Sequence, residues 1–326
     1  MESIEQLQIG VVIATFNGEK YITQQLDSIL KQSRLPNEII ISDGGSIDNT
    51  VDICRNILSE YKEIRTLILT TKKQLGVSDN FQKGLINSNA DYVFLADQDD
   101  VWKPNKIQKF ISLMVRYDGA LAFSDAEIVD KKLRIFGHSL WESVGYQQNE
   151  KVRVINACED IYIKKLLKRN IVTGMCMCLR RDLIKSVLPF DKNVLHDKWI
   201  AMYAMLAFKT VSINEKLVLY RQHDCNVVGT KTDLKRMIKN GKSYMRNVMY
   251  RKEMLENVLI RSGIKNKRIR DVINDSISFH EERVNFIKRK HTLFWPIMHI
   301  EEYIENENGG LSIIVKDYLV RFLKNE

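Results

Sequence analysis

The sequence lacks several features that would each place it in a special class of protein. No apolar run approaches the roughly 20 residues that span a bilayer. The first residues have neither the basic nor the apolar stretch of a signal peptide. Cysteine is scarce, with five scattered residues, and proline is scarcer, with four. Because an odd number of dispersed cysteines argues against a disulfide framework, we expect a protein of the reducing cytoplasm.

The composition that remains is that of an ordinary globular chain. Of 326 residues, 44% are hydrophobic and 28% are charged, which suffices for one large domain and an appended region. The net charge of +9 is unevenly placed, because residues 231–290 hold 17 Lys and Arg against 7 Asp and Glu. That segment carries a net charge of +10, so the rest of the chain is close to neutral.

Short β-branched apolar runs alternate with longer amphipathic runs over the first 125 residues. The predicted strands are Ile9–Ala14, Glu38–Ser42, Arg65–Thr70, Tyr92–Ala96 and Ala120–Phe123. The predicted helices are Glu19–Gln32, Asp48–Tyr61, Ser78–Ser88 and Lys103–Tyr117. This alternation predicts an α/β fold with a mostly parallel sheet that is covered on both faces. In such sheets, ligands bind at the carboxyl ends of the strands.

Further elements follow in the middle of the chain. We predict a strand at Val172–Leu179 and a helix at Asp197–Phe208. Two more strands are predicted at Val211–Ile213 and Leu217–Arg221. From residue 231 onward the pattern is helical and basic.

The most informative segment is Asp97-Gln98-Asp99-Asp100, directly behind the apolar run Tyr92–Ala96. Three carboxylates repel one another, and a divalent cation that carries a diphosphate is one reason to gather them. Mg2+ and Mn2+ prefer hard oxygen ligands and let substrate phosphates complete their shell. The alternative is a solvated acidic turn before the next helix, in which Pro104 occupies the first turn.

Two other strand ends carry polar residues that belong at the same edge. Thr15-Phe16-Asn17-Gly18 permits a turn into a helix whose free amides suit an anion. In Asp43-Gly44-Gly45-Ser46, the glycines allow close backbone approach, and a tight strand–helix turn explains Gly45 and Ser46 equally well. That alternative leaves Asp43 unexplained, and its carboxylate suits the imide N–H of a uracil or thymine base.

These segments together resemble the family 2 glycosyltransferases, which have a GT-A fold. The resemblance lies in Val12–Ile22, Ile40–Thr50 and Phe94–Ile107, and the last is similar to the acidic motif of bacterial rhamnosyltransferases. It implies that residues 1–228 form a Rossmann-like, nucleotide-sugar-binding catalytic domain with a mostly parallel sheet. Residues 229–326 lie outside it and form a basic helical C-terminal extension.

The resemblance also implies roles for individual residues in an inverting sugar transfer that depends on Mg2+ or Mn2+. Asp99 would bind the metal, and Asp97 would face the metal or the ribose, whereas Asp100 has no defined role. Asp197 would be the base that takes the acceptor proton. The alternative is that Asp197 only caps the predicted helix.

Further substrate contacts follow from the same motifs. Gly174 matches a segment near the acceptor, although a strand bulge explains it as well. Arg221 would hold phosphate oxygens, and His223 would be a third metal ligand or a hydrogen-bond partner of the diphosphate. The full set of implied substrate-binding residues is Thr15, Asn17, Glu19, Asp43, Asp97, Trp102, Gly174 and Arg221. Gly44 stands where many members carry a second aspartate, which leaves the choice between uridine and thymidine open.

The basic segment 231–290 has two interpretations. Its apolar residues interleave with lysine and arginine, as in a helix on an anionic membrane surface, and residues 294–298 would dip into that interface. Alternatively, the apolar stripe packs on the catalytic domain or on a second subunit in a homo-oligomer. Nucleic acid is not expected, because no recognised binding motif accompanies the charge.

The predicted protein is a cytoplasmic glycosyltransferase, peripheral at the inner face of the cell membrane. It would transfer L-rhamnose from dTDP-L-rhamnose, or a hexose from a UDP-hexose, to a surface glycan such as O-antigen or capsule. The acceptor would be attached to a polyprenyl diphosphate. Two other classes stay open: a non-catalytic nucleotide-sugar-binding module and a sugar-phosphate nucleotidylyltransferase. The second needs a triphosphate-binding loop, and Thr15–Lys20 has only one glycine and one lysine for that task.

Overall fold

The computed structural model of the chain describes residues 4–192, 194–223, 241–307 and 310–323. The chain divides into two compact units. The first comprises residues 1–157, 171–190 and 195–223, and the second comprises residues 158–170, 191–194 and 224–326. The second unit therefore takes in two segments from within the predicted catalytic domain. The domain boundary at residue 228 stays a prediction.

One sheet organises the first unit. Its strands are β1 (Ile9–Thr15), β2 (Glu38–Asp43), β3 (Arg65–Leu69), β4 (Tyr92–Asp97), β5 (Val101–Trp102), β6 (Leu121–Val129), β7 (Ile135–Ser139), β8 (Val152–Ile155), β9 (Met177–Arg180) and β10 (Thr210–Arg221). The strand order is β3-β2-β1-β4-β9-β6-β10-β5, and β7 and β8 pair with β6 and β10. The half formed by β3, β2, β1 and β4 is parallel, as predicted. Beyond β4 the sheet is mixed, because β9 runs antiparallel to both β4 and β6.

The helices surround the sheet and build the second unit. They are α1 (Ile22–Leu30), α2 (Thr50–Leu58), α3 (Val77–Asn87), α4 (Lys106–Tyr117), α5 (Leu140–Ser143), α6 (Asp160–Lys168), α7 (Arg181–Val187), α8 (His196–Ala207), α9 (Gly241–Ser262), α10 (Lys267–Ile287), α11 (Trp295–Met298), α12 (Ile300–Asn306) and α13 (Gly310–Leu323). Short 3-10 helices lie at Ile4–Gln6 and Gly174–Cys176. Helix α6 and helices α9 to α13 belong to the second unit, and the others belong to the first.

The central strands are continuous apolar runs because both of their faces are covered. Ile9, Val11 and Ile13 of β1 are fully buried, and so is Val12 on the opposite face. Helix α3 packs against this strand through Gly84, where an added Cβ would lie 2.3 Å from the Val12 side chain. This tight contact between α3 and the sheet fixes the position of β1, which ends at Thr15.

Three of the predicted strands need correction. The segment predicted as a strand at Val172–Leu179 begins with the 3-10 helix at Gly174–Cys176 and becomes extended only at Met177. The two strands predicted at Val211–Ile213 and Leu217–Arg221 form the single strand β10. Shifts in its register with β6 on either side of Lys216 absorb the polar residues that interrupted the apolar pattern.

The second unit has its own apolar core. Val248, Phe279, Phe286, Trp295 and Tyr303 are buried in it, and Tyr244, Met245 and Met249 of α9 pack against it. This part of the basic helical region therefore packs within its own unit, and residues 231–240 lie outside the described residues. Among the helices that the structure describes, none is long and apolar enough to cross a membrane.

Candidate active site

The carboxyl ends of β1, β2 and β4 meet at one edge of the sheet. In the strand register, Thr15 lies beside Asp43, and Ala14 lies beside Asp97. The Thr15 hydroxyl donates to Asp43 Oδ2 at 2.9 Å. Gln98 joins the third strand end to the first, because its Oε1 accepts from the Phe16 amide at 2.8 Å and its Nε2 donates to the Phe16 carbonyl at 3.0 Å. The three predicted loops are thus hydrogen-bonded to one another.

Asp43 is buried, and the protein itself saturates its carboxylate. Oδ1 accepts from the amides of Gly45 and Ser46 at 3.0 and 2.8 Å. Oδ2 accepts from the hydroxyls of Thr15 and Ser46 at 2.9 and 2.5 Å. A carboxylate offers about four acceptor sites, and here all are used to hold the turn. Recognition of the nucleotide base by Asp43 stays a prediction, and the structure gives Asp43 and Thr15 a positioning role.

Asn17 and Glu19 connect the first loop to the second. Asn17 has a left-handed backbone with φ of 47°, and its Oδ1 accepts from the Ile47 amide at 2.9 Å. Glu19 Oε2 accepts from the backbone and side-chain amides of Asn49, both at 3.0 Å. Both side chains therefore hydrogen-bond within the loops and help to shape them. Their predicted contacts with substrate stay predictions.

Asp99 and His223 are brought together although 124 residues separate them in sequence. Asp99 Oδ2 lies 2.7 Å from His223 Nε2, and their side chains are 14% and 11% exposed. The His223 ring stacks on Tyr21, with 4.9 Å between the ring centroids. The stacking fixes the imidazole beside the acidic turn, where the sequence predicts a metal ligand.

The other two carboxylates of the acidic turn are destabilised as anions. Burial and the charges of Asp99 and Asp197 raise the pKa of Asp97 to about 7. Burial and the charges of Asp99 and Asp97 raise the pKa of Asp100 well above its usual value. Asp100 Oδ1 accepts from the Arg221 amide at 3.0 Å, whereas no hydrogen-bond partner for Oδ2 occurs within the described residues. Both carboxyl groups are therefore harder to ionise than a free aspartate.

Lys106, which the sequence analysis did not single out, is a buried cation beneath this turn. Its Nζ donates to the Met175 carbonyl at 2.6 Å and lies 3.7 Å from the centroid of the Trp102 ring. Burial lowers the pKa of Lys106 to about 8, against the opposing effect of nearby acidic groups that include Asp100 and Asp97. Its position one turn before Phe110 on the apolar face of α4 was the sequence signal.

Arg221 and Trp102 support the acidic turn from within. Arg221 is 1% exposed, and its guanidinium donates to the Asp99 carbonyl at 2.7 Å, the Lys131 carbonyl at 3.0 Å and Gln24 at 2.6 Å. Trp102 is 3% exposed. Both side chains support the turn from within the protein, and the predicted contacts of Arg221 with phosphate and of Trp102 with substrate stay predictions.

Asp197 lies in the first turn of α8, which begins at His196 with Leu195 as its N-cap. The alternative that Asp197 is the cap is therefore wrong. Its charge contributes to the raised pKa of Asp97, so the predicted base and the acidic turn interact electrostatically.

Gly174 lies against the imidazole ring of His196, because an added Cβ would lie 2.7 Å from His196 Nε2. The need for a glycine there is explained by this ring and does not require a bound sugar.

The donor set at this edge fits a hard divalent cation. Within the described residues, no three His, Cys, Asp or Glu side chains are grouped as a closed metal site. The Asp99–His223 pair still offers one carboxylate and one imidazole side by side. Mg2+ and Mn2+ commonly take one or two protein ligands and complete their shell with water and phosphate oxygens. The Asp99–His223 pair would meet that requirement, and its predicted role as a metal site stays a prediction.

An α/β sheet with an acidic turn and a further carboxylate at its carboxyl edge is the architecture of an enzyme that handles nucleotides. The family model described as glycosyl transferase family 2 matches residues 10–188, more than half of the chain, and the chain therefore belongs to that family. The predicted family is confirmed.

Similar proteins share much of the chain's length. The dTDP-rhamnosyl transferase RfbG of Shigella flexneri is 27% identical over 254 residues, which cover 74% of this chain and 82% of that protein. The Escherichia coli protein WfgD, a UDP-Glc:alpha-D-GlcNAc-diphosphoundecaprenol beta-1,3-glucosyltransferase, is 24% identical over 188 residues, which cover 58% of this chain and 65% of that protein.

Solved structures share the fold. TarS 1–349 of S. aureus, in complex with UDP, superposes with a TM-score of 0.59 at 14% identity and covers 98% of this chain and 90% of that one. The mannosyltransferase PcManGT of Pyrobaculum calidifontis, in complex with GDP-Man and Mn2+, gives a TM-score of 0.51 at 11% identity, covering 98% of this chain and 87% of that one. The predicted GT-A fold with a helical C-terminal region is confirmed.

Proposed function

We propose that the chain is an inverting, metal-dependent glycosyltransferase that moves a sugar from a nucleotide diphosphate to a bacterial surface glycan. The observation that carries the proposal is the edge where Asp99 and His223 lie 2.7 Å apart and where the charges of Asp97 and Asp197 interact. Asp97, Asp99 and His223 form a group that suits a metal ion and its diphosphate. Asp197 is a carboxylate that suits a proton transfer.

Each residue has a defined task in this proposal. Asp99 and His223 would hold Mg2+ or Mn2+, with Asp97 on the metal or the donor ribose. When bound, the metal acts as a Lewis acid that neutralises charge on the departing diphosphate. Asp197 accepts the proton of the acceptor hydroxyl as that oxygen attacks the anomeric carbon from the face opposite the leaving group. That in-line displacement inverts the configuration of the sugar.

The donor is proposed from the relatives. The Shigella relative is a dTDP-rhamnosyl transferase, which supports dTDP-L-rhamnose as the first choice. The Escherichia coli relative uses UDP-Glc, and the TarS structure holds UDP, which support a UDP-hexose as the second. Within the described residues, the saturated carboxylate of Asp43 does not choose between the two bases.

The acceptor is proposed to be a growing O-antigen or capsule glycan on a polyprenyl diphosphate. The Escherichia coli relative acts, by its name, on a diphosphoundecaprenol-linked sugar. An acceptor of that kind would bring the enzyme to the cytoplasmic face of the membrane as a peripheral protein. The net charge of +10 in residues 231–290 suits an anionic surface.

The experiment uses the purified full-length chain with a panel of nucleotide sugars, with and without Mn2+. We expect one donor to raise the thermal midpoint in the presence of Mn2+, and slow release of its nucleoside diphosphate to follow. Binding without turnover, even with glycan acceptors supplied, would identify a non-catalytic module. Exchange of pyrophosphate into a nucleoside triphosphate would identify a nucleotidylyltransferase.

A further inference from the structure

Four large apolar side chains project from the second unit within one short segment. Leu293 is 46% exposed, Phe294 is 70% exposed, Ile297 is 58% exposed and Met298 is 76% exposed. We call these four residues the apolar tip. Single exposed apolar residues are common on protein surfaces, but a cluster of this kind marks an interaction site.

The apolar tip is held in place by buried neighbours. Trp295, within the same segment, is 8% exposed and stacks between His291 and His299, with centroid distances of 5.4 and 4.7 Å. The Tyr318 hydroxyl donates to the Leu293 carbonyl, and the Arg321 guanidinium donates to the His291 carbonyl at 2.9 Å. The fold therefore anchors this segment while leaving its large side chains outside the core.

An apolar stripe on α13 borders the tip. Leu311, Val315 and Phe322 are 63%, 56% and 54% exposed, and with Tyr318 they recur at the spacing of one helix face. Because the Tyr318 hydroxyl bonds to Leu293, this face adjoins the tip. The exposed apolar surface is thus larger than the tip alone.

Basic residues precede the tip directly in sequence. Lys288, Arg289 and Lys290 are exposed at the end of α10. Arg289 donates to the Arg321 carbonyl, whereas Lys288 and Lys290 form no ion pair within the part of the chain that the structure describes. An apolar surface preceded by two exposed lysines is complementary to the acyl chains and headgroups of an anionic bilayer.

We propose that the apolar tip inserts into an anionic lipid surface, with Lys288 and Lys290 contacting its headgroups. The proposal rests on the proposed function for the reason to reach a membrane, and it names the contacting surface. A second copy of the chain is the other candidate occupant. The test below distinguishes that occupant from the lipid surface.

The test is flotation of the full-length chain with neutral phosphatidylcholine vesicles and with vesicles that contain phosphatidylglycerol. We expect binding only to the anionic vesicles. The double substitution Phe294→Ser/Met298→Ser should weaken it by roughly tenfold or more. Lys288→Ala/Lys290→Ala should weaken it by on the order of 25-fold, about fivefold for each cation.

The matched control is Ile86→Ser/Ile260→Ser, which alters two exposed isoleucines, 62% and 77% exposed, away from the tip in sequence. It should float as the parent does, and thermal melts should show that all variants fold. Parent-like flotation of the Phe294/Met298 variant would overturn the proposal, as would equal binding to neutral vesicles. A concentration-dependent dimer that this variant loses, without vesicle binding, would identify a second copy as the occupant.

The same variants separate this proposal from the proposed function. Release of nucleoside diphosphate from the donor in the absence of lipid should be unchanged in all of them, because none of the altered residues belongs to the candidate active site. If the parent binds anionic vesicles but never turns over a donor, the proposed function fails and the lipid surface stands. If the parent turns over a donor and no variant alters flotation, the proposed function stands and the lipid surface fails.

Discussion

The two units of this protein treat buried charge in opposite ways. At the edge of the sheet, Asp97, Asp99 and Asp100 lie close together near two buried cations, Lys106 and Arg221, and the pKa of Asp97 and the pKa of Asp100 are both raised. In the second unit, Asp317 and Glu307 surround a buried arginine, Arg283. Burial and two guanidinium groups act on Glu307 in opposite directions, and the guanidinium groups prevail and lower its pKa to about 2.

In the second unit, the buried charges around Arg283 that the structure describes are paired with groups of opposite sign. Arg283 Nε donates to Asp317 Oδ2 at 2.6 Å, and its other nitrogens reach Glu307 and Tyr244. Arg251 pairs with the second oxygen of Glu307 at 2.6 Å. Tyr303 donates to Asp317 at 2.6 Å. Buried charges of this kind persist because they are paired and hydrogen-bonded.

The difference separates structure from function. Compensated charges hold four helices of the second unit together. At the strand edge, neighbouring carboxylates disfavour one another's ionisation. Perturbed pKa values caused by like charges in a cleft are a physical mark of a functional site. Substitutions in the charge network of the second unit should reduce stability, and substitutions at the acidic edge of the first unit should reduce activity.

The largest effect is expected at the proposed base. Asp197→Asn keeps the shape of the side chain but cannot take a proton, so transfer should fall by about 10²- to 10⁴-fold. Donor binding with Mn2+ should persist, because the proposed metal ligands are intact. The measurements are transfer rates and the donor-induced thermal shift. Asp52→Asn, in the first turn of α2, is the matched control. Normal transfer by Asp197→Asn would remove this residue as the base.

The next prediction sets one buried aspartate against another. Asp317→Asn leaves Arg283 without its main partner and should destabilise the second unit by about 3–5 kcal/mol. Asp100→Asn replaces an acid whose ionisation its neighbours already disfavour, and it keeps an oxygen for the Arg221 amide, so stability should change by less than about 1 kcal/mol. Hydrogen exchange at α10 and α13, compared with exchange at β1 and β4, reports each unit separately. Equal losses in both variants would contradict the comparison.

The fold was predictable where burial dictates the residues. Strands β1, β2 and β4 follow from continuous apolar runs, since both faces of each strand are covered. Strand β10 was divided wrongly because Glu215 and Lys216 break its pattern. Their ion pairs with Lys109 and Glu127 become visible only once α4 and β6 pack beside them. Periodicity reports the local face of a residue and not its distant partner.

The site was predictable only in part for the same reason. The resemblance to a family identified Asp99 and His223, which no local pattern connects. It did not show that Arg221 is directed inward, because that depends on acceptors at Gln24 and Lys131. Lys106 was missed because a lysine near a helix start is usually solvated, whereas here an aromatic ring and the Met175 carbonyl accommodate it.

The pH dependence of stability should distinguish the second unit. The pKa of Glu307 is about 2 in the fold, against 4.5 as the ordinary value. Below pH 4.5, Glu307 binds a proton in the unfolded chain, whereas in the folded chain it stays ionised until the pH approaches 2. Stability from this group is therefore complete above pH 4.5 and is lost as the pH falls towards 2, by on the order of 3 kcal/mol. Glu307→Gln should flatten the acid limb of the exchange profile at α10. Parallel profiles would show that the paired carboxylate is not the cause.

The smallest effect is expected at His196, which is 5% exposed and packs on Phe81 with 4.4 Å between ring centroids. Burial lowers its pKa to about 3, so the ring is neutral near pH 7. Neither ring nitrogen has a hydrogen-bond partner within the described residues. Because unpaired buried polar atoms cost free energy, His196→Leu should raise the stability of the first unit by about 1 kcal/mol.

Transfer by His196→Leu should fall at the same time, because the ring precedes Asp197 and fills the space above Gly174. The measurements are thermal midpoints together with kcat and KM for the acceptor. His280 in the second unit, a buried ring against Phe279, is the matched position. There the ring adds to the positive charge around Glu307, so His280→Leu should give no gain in stability. If His196→Leu loses stability and keeps normal transfer, the prediction is wrong and the His196 ring serves only in core packing.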